Sequence, residues 1–492
     1  MPPVLQISVF LSSSSSSSQK KSDPRDIHVG IVGAGLAGLR AARFFEENSI
    51  RYTILEGSDR IGGRVYPFEY ENGYLQHGAE YLNGIDNEIF DIVQKNELGQ
   101  ERVPDLFMLD ENVITFVDGK VVSSGINSIW NLFIDSLNET LFREAESCEK
   151  LKTRSVLLRI NEHFEAFLEK TNIARENAEI FKKLKLMFCN FFQTEWSSPV
   201  GELALENITL WDDGTDDEDS LVLNKFGFQK ILEKFKSEVS MKNVLLNSKV
   251  LNINYCLSEN DSKIRVRLEN NTDLFYDHVI VTSSLGYLKQ FSRKMFSPEL
   301  PFDKQQAIQN MGFGSNMKIF LEYKNPWWPE NVSTIQIAPK SKYPDRFSKL
   351  TENLMVFQPS SWASNILIAW IADNGPSEVG IMKNQELLDA INDFLQENLK
   401  SEFPSISKAI RVFRHSWIYD EFALGSYSYL KSDTYQQNTI ENLTAPITSD
   451  ENRPLVCFAG EHTSPQMYQT TVGAAESGLR EAKRILNYYS MN

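Results

Sequence analysis

The chain has 492 residues, 41% hydrophobic and 24% charged, which is ordinary for a globular enzyme and too long for one simple core. Its 66 acidic residues against 50 basic ones give a formal net charge of −16, which argues against nucleic acid as a main partner and is read either as a solubility feature or as compatible with a cationic substrate. No run approaches the roughly 20 apolar residues that span a bilayer. The four cysteines, Cys148, Cys189, Cys256 and Cys457, show no metal-ligand spacing and fit a reducing compartment, so no metal and no disulfide framework is expected.

Residues 1–25 read as a disordered leader, because Ser12 to Ser18 is an unbroken serine run. Val4 to Leu11 is mildly apolar, so secretion stands as a second reading beside a cytoplasmic location. Ile27 to Val32 is a short apolar run suited to a buried parallel strand, and Leu36 to Glu47 carries helical periodicity. Between them Gly33, Gly35 and Gly38 form G-x-G-x-x-G, and Glu56 closes the next strand, Arg51 to Glu56. That arrangement cradles a pyrophosphate on free backbone amides at a helix start, with the acid on a ribose hydroxyl. Asp59-Arg-Ile-Gly-Gly-Arg64 follows; its glycines let the chain pass close to a cofactor, and Arg64 offers forked donors to phosphate oxygens.

Asn87 to Lys95 reads as a helix, Val113 to Val122 as a hairpin around Asp118-Gly119, and Ser128 to Phe192 as largely helical. Trp211 to Asp219 is an acidic turn, read either as a solvated loop or as a rim that attracts polycations. Phe226 opens another helix, Lys249 to Tyr255 and Ile264 to Glu269 pair as strands, and Phe275 to Thr282 is a buried strand rejoining the central sheet. Beyond it, Met317 to Tyr323 and Ile366 to Ile371 read as strands, and Gln385 to Leu399 as a helix. Lys318 falls inside an alternating apolar strand, where an inward lysine costs several kcal/mol unless it has a role. Glu461 follows the strand Leu455 to Ala459, placed to accept from a polyol hydroxyl, and Thr470 to Gly473 precedes a helix whose amides would face a developing negative charge. Trp417, Tyr427, Tyr429 and Tyr468 are candidates for an aromatic wall around an amine.

Five blocks in order resemble the flavin amine oxidases, the group that includes polyamine, spermine and monoamine oxidases and the histone lysine demethylases. They are the nucleotide unit, Asp59 to Arg64, His77-Gly-Ala-Glu-Tyr-Leu-Asn-Gly84, Gly314-Ser-Asn-Met-Lys318-Ile-Phe-Leu-Glu-Tyr323, and Phe458-Ala-Gly-Glu461-His-Thr463 continuing through Tyr468 to Ala482. The resemblance implies an α/β fold with a discontinuous Rossmann-like FAD-binding domain (26–100, 235–300, 412–492) and an α+β substrate-binding domain (101–234, 301–411). It also implies hydride transfer from a neutral amine to flavin N5, imine hydrolysis, and hydrogen peroxide from dioxygen. Gly78, Ala79, Glu80 and Tyr81 would pass the flavin ring, Val250 would touch the adenine side, and Thr470, Thr471 and Val472 would meet the pyrimidine end. Lys318 would hold a water against N5, and Asn83 stands where polyamine oxidases usually have an active-site His. Gln76 and Val472 are further departures from that pattern. The flavin is expected to be noncovalent FAD, since Cys457 lies within a strand. Polyamines are the expected substrates; another amine or amino acid, or a catalytically weak flavin-binding homologue, are the alternatives.

Overall fold

The computed structural model describes residues 23–102, 112–147, 154–212, 220–257, 263–338 and 348–490. Residues 1–22 of the expected leader and 213–219 of the acidic turn lie outside them. The leader's last residues enter a short 3-10 turn, Pro24–Asp26, capped by Asp23.

Two sheets organise the chain. The first has six strands in the order Val244–Leu245, Arg51–Leu55, His28–Val32, His278–Val281, Pro454–Phe458 and Ile447–Thr448. All neighbours are parallel except the last pair, and Ile31 lies between Ile54 and Ile280. The inner strands are buried on both faces, which is why they read as continuous apolar runs. Helices Leu36–Glu47 and Thr471–Ser490 pack against each other on this sheet through Leu36, Leu39, Ala475 and Ile485. Gly38 permits the turn to close: a Cβ there would sit 2.0 Å from the Gly33 carbonyl oxygen.

The second sheet has seven strands in the order Arg411–Arg414, Asn316–Glu322, Ile366–Ala372, Val356–Pro359, Thr334–Ala338, Val113–Val117 and Lys120–Val121. The two-residue period of its strands separates two cores. Phe116, Met317, Ile319 and Leu321 face helix Asn384–Leu399, whereas Val113, Val117 and Val356 face helices Ser124–Ala145, Val156–Lys170 and Ala178–Trp196. Lys318, between Met317 and Ile319, is thereby turned away from helix Asn384–Leu399.

Several expectations shift. The strand expected over Phe275 to Thr282 is two, because Asp273–Tyr276 pairs with Ile264–Leu268 and the chain steps at Asp277 into His278–Val281 of the first sheet. Helix Gly227–Ser237 puts Phe228, Ile231, Leu232 and Phe235 into the core of the nucleotide unit, although most of it precedes the expected boundary at 235. Arg411–Arg414 pairs with Asn316–Glu322, so the expected break at 411/412 cuts an edge strand of the second sheet. Among the described residues no helix is long and apolar enough to cross a membrane.

Candidate active site

A cavity of about 1170 Å³ is walled by loops of both sheets. From the first sheet and the loops that follow its strands come Gly33, Gly35, Glu56 and Arg64, and from a separate four-stranded sheet Val250, joined by Gly78 and Ala79, Glu461, and Thr470 and Thr471. From the second come Lys318 and Trp370, with Glu80, Tyr81, Asn83, Trp417 and Tyr427 on segments between them. Residues separated by hundreds of positions are thus gathered around one cavity.

The charged groups are held by specific partners. Glu56 Oε2 accepts from the Ala34 N–H at 2.7 Å, and Oε1 accepts from the Ser58 N–H and hydroxyl, each at 2.8 Å. Arg64 Nη1 donates to Glu461 Oε1 at 2.8 Å and to the Ser426 carbonyl at 2.6 Å. Glu461 Oε2 accepts from the Ser428 hydroxyl at 2.6 Å and the Gln469 N–H at 2.9 Å. Burial of Glu461 disfavours its charge, but the opposing effects, led by the Arg64 charge and including the Ser428 hydroxyl, more than offset it and hold the carboxyl below its ordinary range. The two residues expected to reach phosphate and polyol separately are therefore bonded to each other.

The segment 77–84 crosses the cavity wall close to the Arg64 loop. The Ala79 N–H donates to the Arg64 carbonyl at 3.2 Å, and a Cβ on Gly78 would sit 1.7 Å from that oxygen. Thr470 caps helix Thr471–Ser490: its hydroxyl donates to the Met467 carbonyl at 2.8 Å and accepts from the Gly473 N–H at 2.9 Å. The Thr471 hydroxyl is buried on the wall without a protein partner.

Lys318 is the buried cation of the site, its side chain 3% exposed and its ammonium donating to Glu80 Oε2. Its pairing partner across the sheet is Trp370, whose ring centroid lies 5.3 Å from Nζ. The Tyr81 ring stacks on Trp370 with centroids 6.2 Å apart. Burial drives the Lys318 ammonium below its ordinary range, and Glu80 opposes that shift. Asn83 Nδ2 donates to the Ser220 hydroxyl at 2.9 Å. Trp417 donates its indole N–H to the His77 carbonyl at 3.1 Å, and Tyr427 binds the Thr194 carbonyl and the Asn316 amide, both at 2.9 Å.

Three expected site residues do not line the cavity. Tyr468 is fully buried and donates to Oδ1 of Asn207, a wall residue, at 3.1 Å, so it stands behind the wall and does not line the cavity. Val472 points into the core of the nucleotide unit, because in the first helical turn only one phase faces the cavity. Gly38 shapes the turn and is not on the wall. Tyr429, a weaker aromatic candidate, donates to Glu202 Oε2 at 2.9 Å instead of meeting the cavity. Conversely, Trp370, Glu195, Phe191 and Phe192 line the cavity and were not foreseen. Their strand and helix were legible; only sheet register and helix phase reveal which side chains turn inward.

The model of the flavin containing amine oxidoreductase family matches residues 36–486. The chain is 26% identical to the protein anon-37Cs of Drosophila melanogaster, over 94% of this chain and 92% of that one. It is 25% identical to the peroxisomal N(1)-acetyl-spermine/spermidine oxidase of Bos taurus, over 96% of this chain and 97% of that protein. It is also 25% identical to the probable polyamine oxidase 5 of Arabidopsis thaliana, over 94% and 98% respectively. With the match running through both sheets and across the cavity between their loops, the chain belongs to the flavin containing amine oxidoreductase family.

Proposed function

We propose that this protein is an FAD-dependent amine oxidase acting on polyamines such as spermine, spermidine or their acetylated forms. The observation that carries the reading is a buried lysine, Lys318, on the wall of the same cavity that the nucleotide-binding glycines open into. The residues present fit the cofactor: Gly33, Gly35 and the amides of helix Leu36–Glu47 offer a cradle for pyrophosphate, and Gly78 leaves room that any larger residue would fill. The orphaned Thr471 hydroxyl and the start of helix Thr471–Ser490 would hold the polar end of the ring. Cys457 is fully buried in its strand, which supports noncovalent attachment.

A bound flavin supplies an acceptor for the hydride that leaves the amine's α-carbon. The protein's part is to bind and orient. Tyr81 and Trp370 offer flat apolar faces to an aliphatic amine, with Trp417 and Tyr427 further along the wall. Glu195 adds a carboxylate for a distal ammonium group. Lys318 directs ammonium N–H donors at the reacting centre, from a site where low exposure strengthens their effect. The proposal includes a cytoplasmic location, which the unpaired Cys189, Cys256 and Cys457 support.

One observation favours a different amine: Asn83, tied to Ser220, stands in place of the His usual in polyamine oxidases. The test is anaerobic mixing of the yellow protein with spermine, N-acetylspermine, spermidine and a set of amino acids. Bleaching by a polyamine, with peroxide release in air, is the expected result. Bleaching by an amino acid alone, or by no amine, overturns the polyamine assignment.

A further inference from the structure

Glu80 stands in the segment expected to pass the flavin ring, yet its carboxylate is spent on a protein cation. Among the described residues, the hydrogen bond made by Lys318 Nζ goes to Glu80 Oε2. The two come from unlike places: Glu80 precedes the short strand Tyr81–Asn83, and Lys318 lies in a central strand of the seven-stranded sheet. Both line the cavity. The Lys318 side chain is 3% exposed and that of Glu80 23%, so the lysine sits behind the carboxylate at the rim of the open space. Trp370, at 5.3 Å from Nζ to ring centroid, and Phe320, at 5.9 Å, flank the ammonium with ring faces. An ammonium has three donors; one on Glu80 fixes its rotation and leaves the others to be aimed.

We propose that Glu80 is a positioning residue for Lys318, anchoring its ammonium at the cavity wall and keeping it charged for the reaction. The inference rests on the assignment of Lys318 to the chemistry. Burial drives Lys318 toward the neutral amine, and the charge and hydrogen bond of Glu80 oppose it. The other titratable groups facing the pair offer no substitute. His77 is pushed down to about 3 by burial and is neutral, while burial drives Tyr81 and Tyr427 upward so that they stay protonated. Glu195 faces the two tyrosines.

The test is Glu80→Gln, which keeps the shape and removes the charge, with Glu80→Asp as the conservative control. Purified flavin-loaded protein is treated with limiting acetic anhydride across a pH series, and acetylation of Lys318 is followed by mass spectrometry. Only the neutral amine reacts. The midpoint for Lys318 is expected to fall by about one to three pH units in Glu80→Gln, the usual effect of an opposite charge within hydrogen-bonding range, and by less in Glu80→Asp. In anaerobic reduction by the best amine, the alkaline limb should move down with it, since a charged Lys318 is lost on raising pH. The acid limb belongs to the substrate's own ammonium and should stay. Glu80→Gln added to Lys318→Met should change the reduction rate no further. An unchanged acetylation midpoint, or a double variant slower than Lys318→Met alone, overturns the proposal. Failure of every amine to reduce the flavin would instead overturn the functional reading, with the acetylation result still judging Glu80.

Discussion

Arg64 and Glu461, 397 residues apart in sequence, join two loops of the cavity wall through a pair whose carboxylate side chain is 4% exposed. Replacing Arg64 by Leu leaves that carboxylate without its counter-charge. Breaking a buried pair from one side costs about 3–5 kcal/mol. The lower end applies here, because the Ser428 hydroxyl and the Gln469 N–H still donate to Glu461 Oε2. With a melting entropy of roughly 2.1 cal/mol/K per residue, the 492 residues amount to roughly 1 kcal/mol/K, so 3 kcal/mol lowers the Tm by about 3 °C if the chain melts as one unit. The fall is larger if part of it melts alone. The sign with pH is fixed by the carboxyl. In the parent protein Glu461 is held below its ordinary range, so its contribution is present above the unfolded-state value near 4.3 and is lost as pH falls through the folded value. Without Arg64 burial is opposed by the remaining donors without the guanidinium charge, so the carboxyl rises, and the deficit is greatest near pH 7.5 and shrinks toward pH 4. Adding Glu461→Gln should recover part of the loss, since an amide needs no counter-charge. Melting followed by tryptophan fluorescence reads all three proteins. A Tm for Arg64→Leu within 1 °C of the parent at pH 7.5, or a double variant no more stable than Arg64→Leu, refutes the reasoning.

Lys318→Met should retain bound flavin, judged by its visible absorbance, and slow anaerobic reduction by the substrate by about 10²- to 10⁴-fold; a rate equal to the parent's would remove Lys318 from the chemistry. Gly38→Ala puts a Cβ 2.0 Å from the Gly33 carbonyl oxygen, a backbone atom that cannot swing aside, and should yield protein with little bound flavin. Stoichiometric flavin in that variant would contradict the tight turn. Tyr468→Phe removes a buried hydrogen bond to Asn207 and should lower stability by about 1 kcal/mol while leaving amine KM and kcat unchanged. A several-fold change in KM would return Tyr468 to the substrate wall.

What could be read from the chain alone is whatever depends on near neighbours. The Gly33 to Gly38 turn, helix Leu36–Glu47 and Glu56 at the strand end are local, because backbone conformation and the 3.6- and 2-residue periods are written within a few positions. The strands around Lys318 and Trp370 were equally plain, as was the prospect that an inward lysine in such a strand has work to do. The tertiary structure alone decided which partners meet. Glu80 with Lys318 and Arg64 with Glu461 are pairs 238 and 397 residues apart, and no local pattern encodes a contact made by sheet order. The same cause explains why two expected residues do not line the cavity: Tyr468 and Val472 stand beside cavity-lining neighbours, but the turn of one residue along a loop or helix sends their side chains into the core. Chain-local energetics select the elements; packing between distant elements selects the face, and the face determines which side chains can meet a substrate.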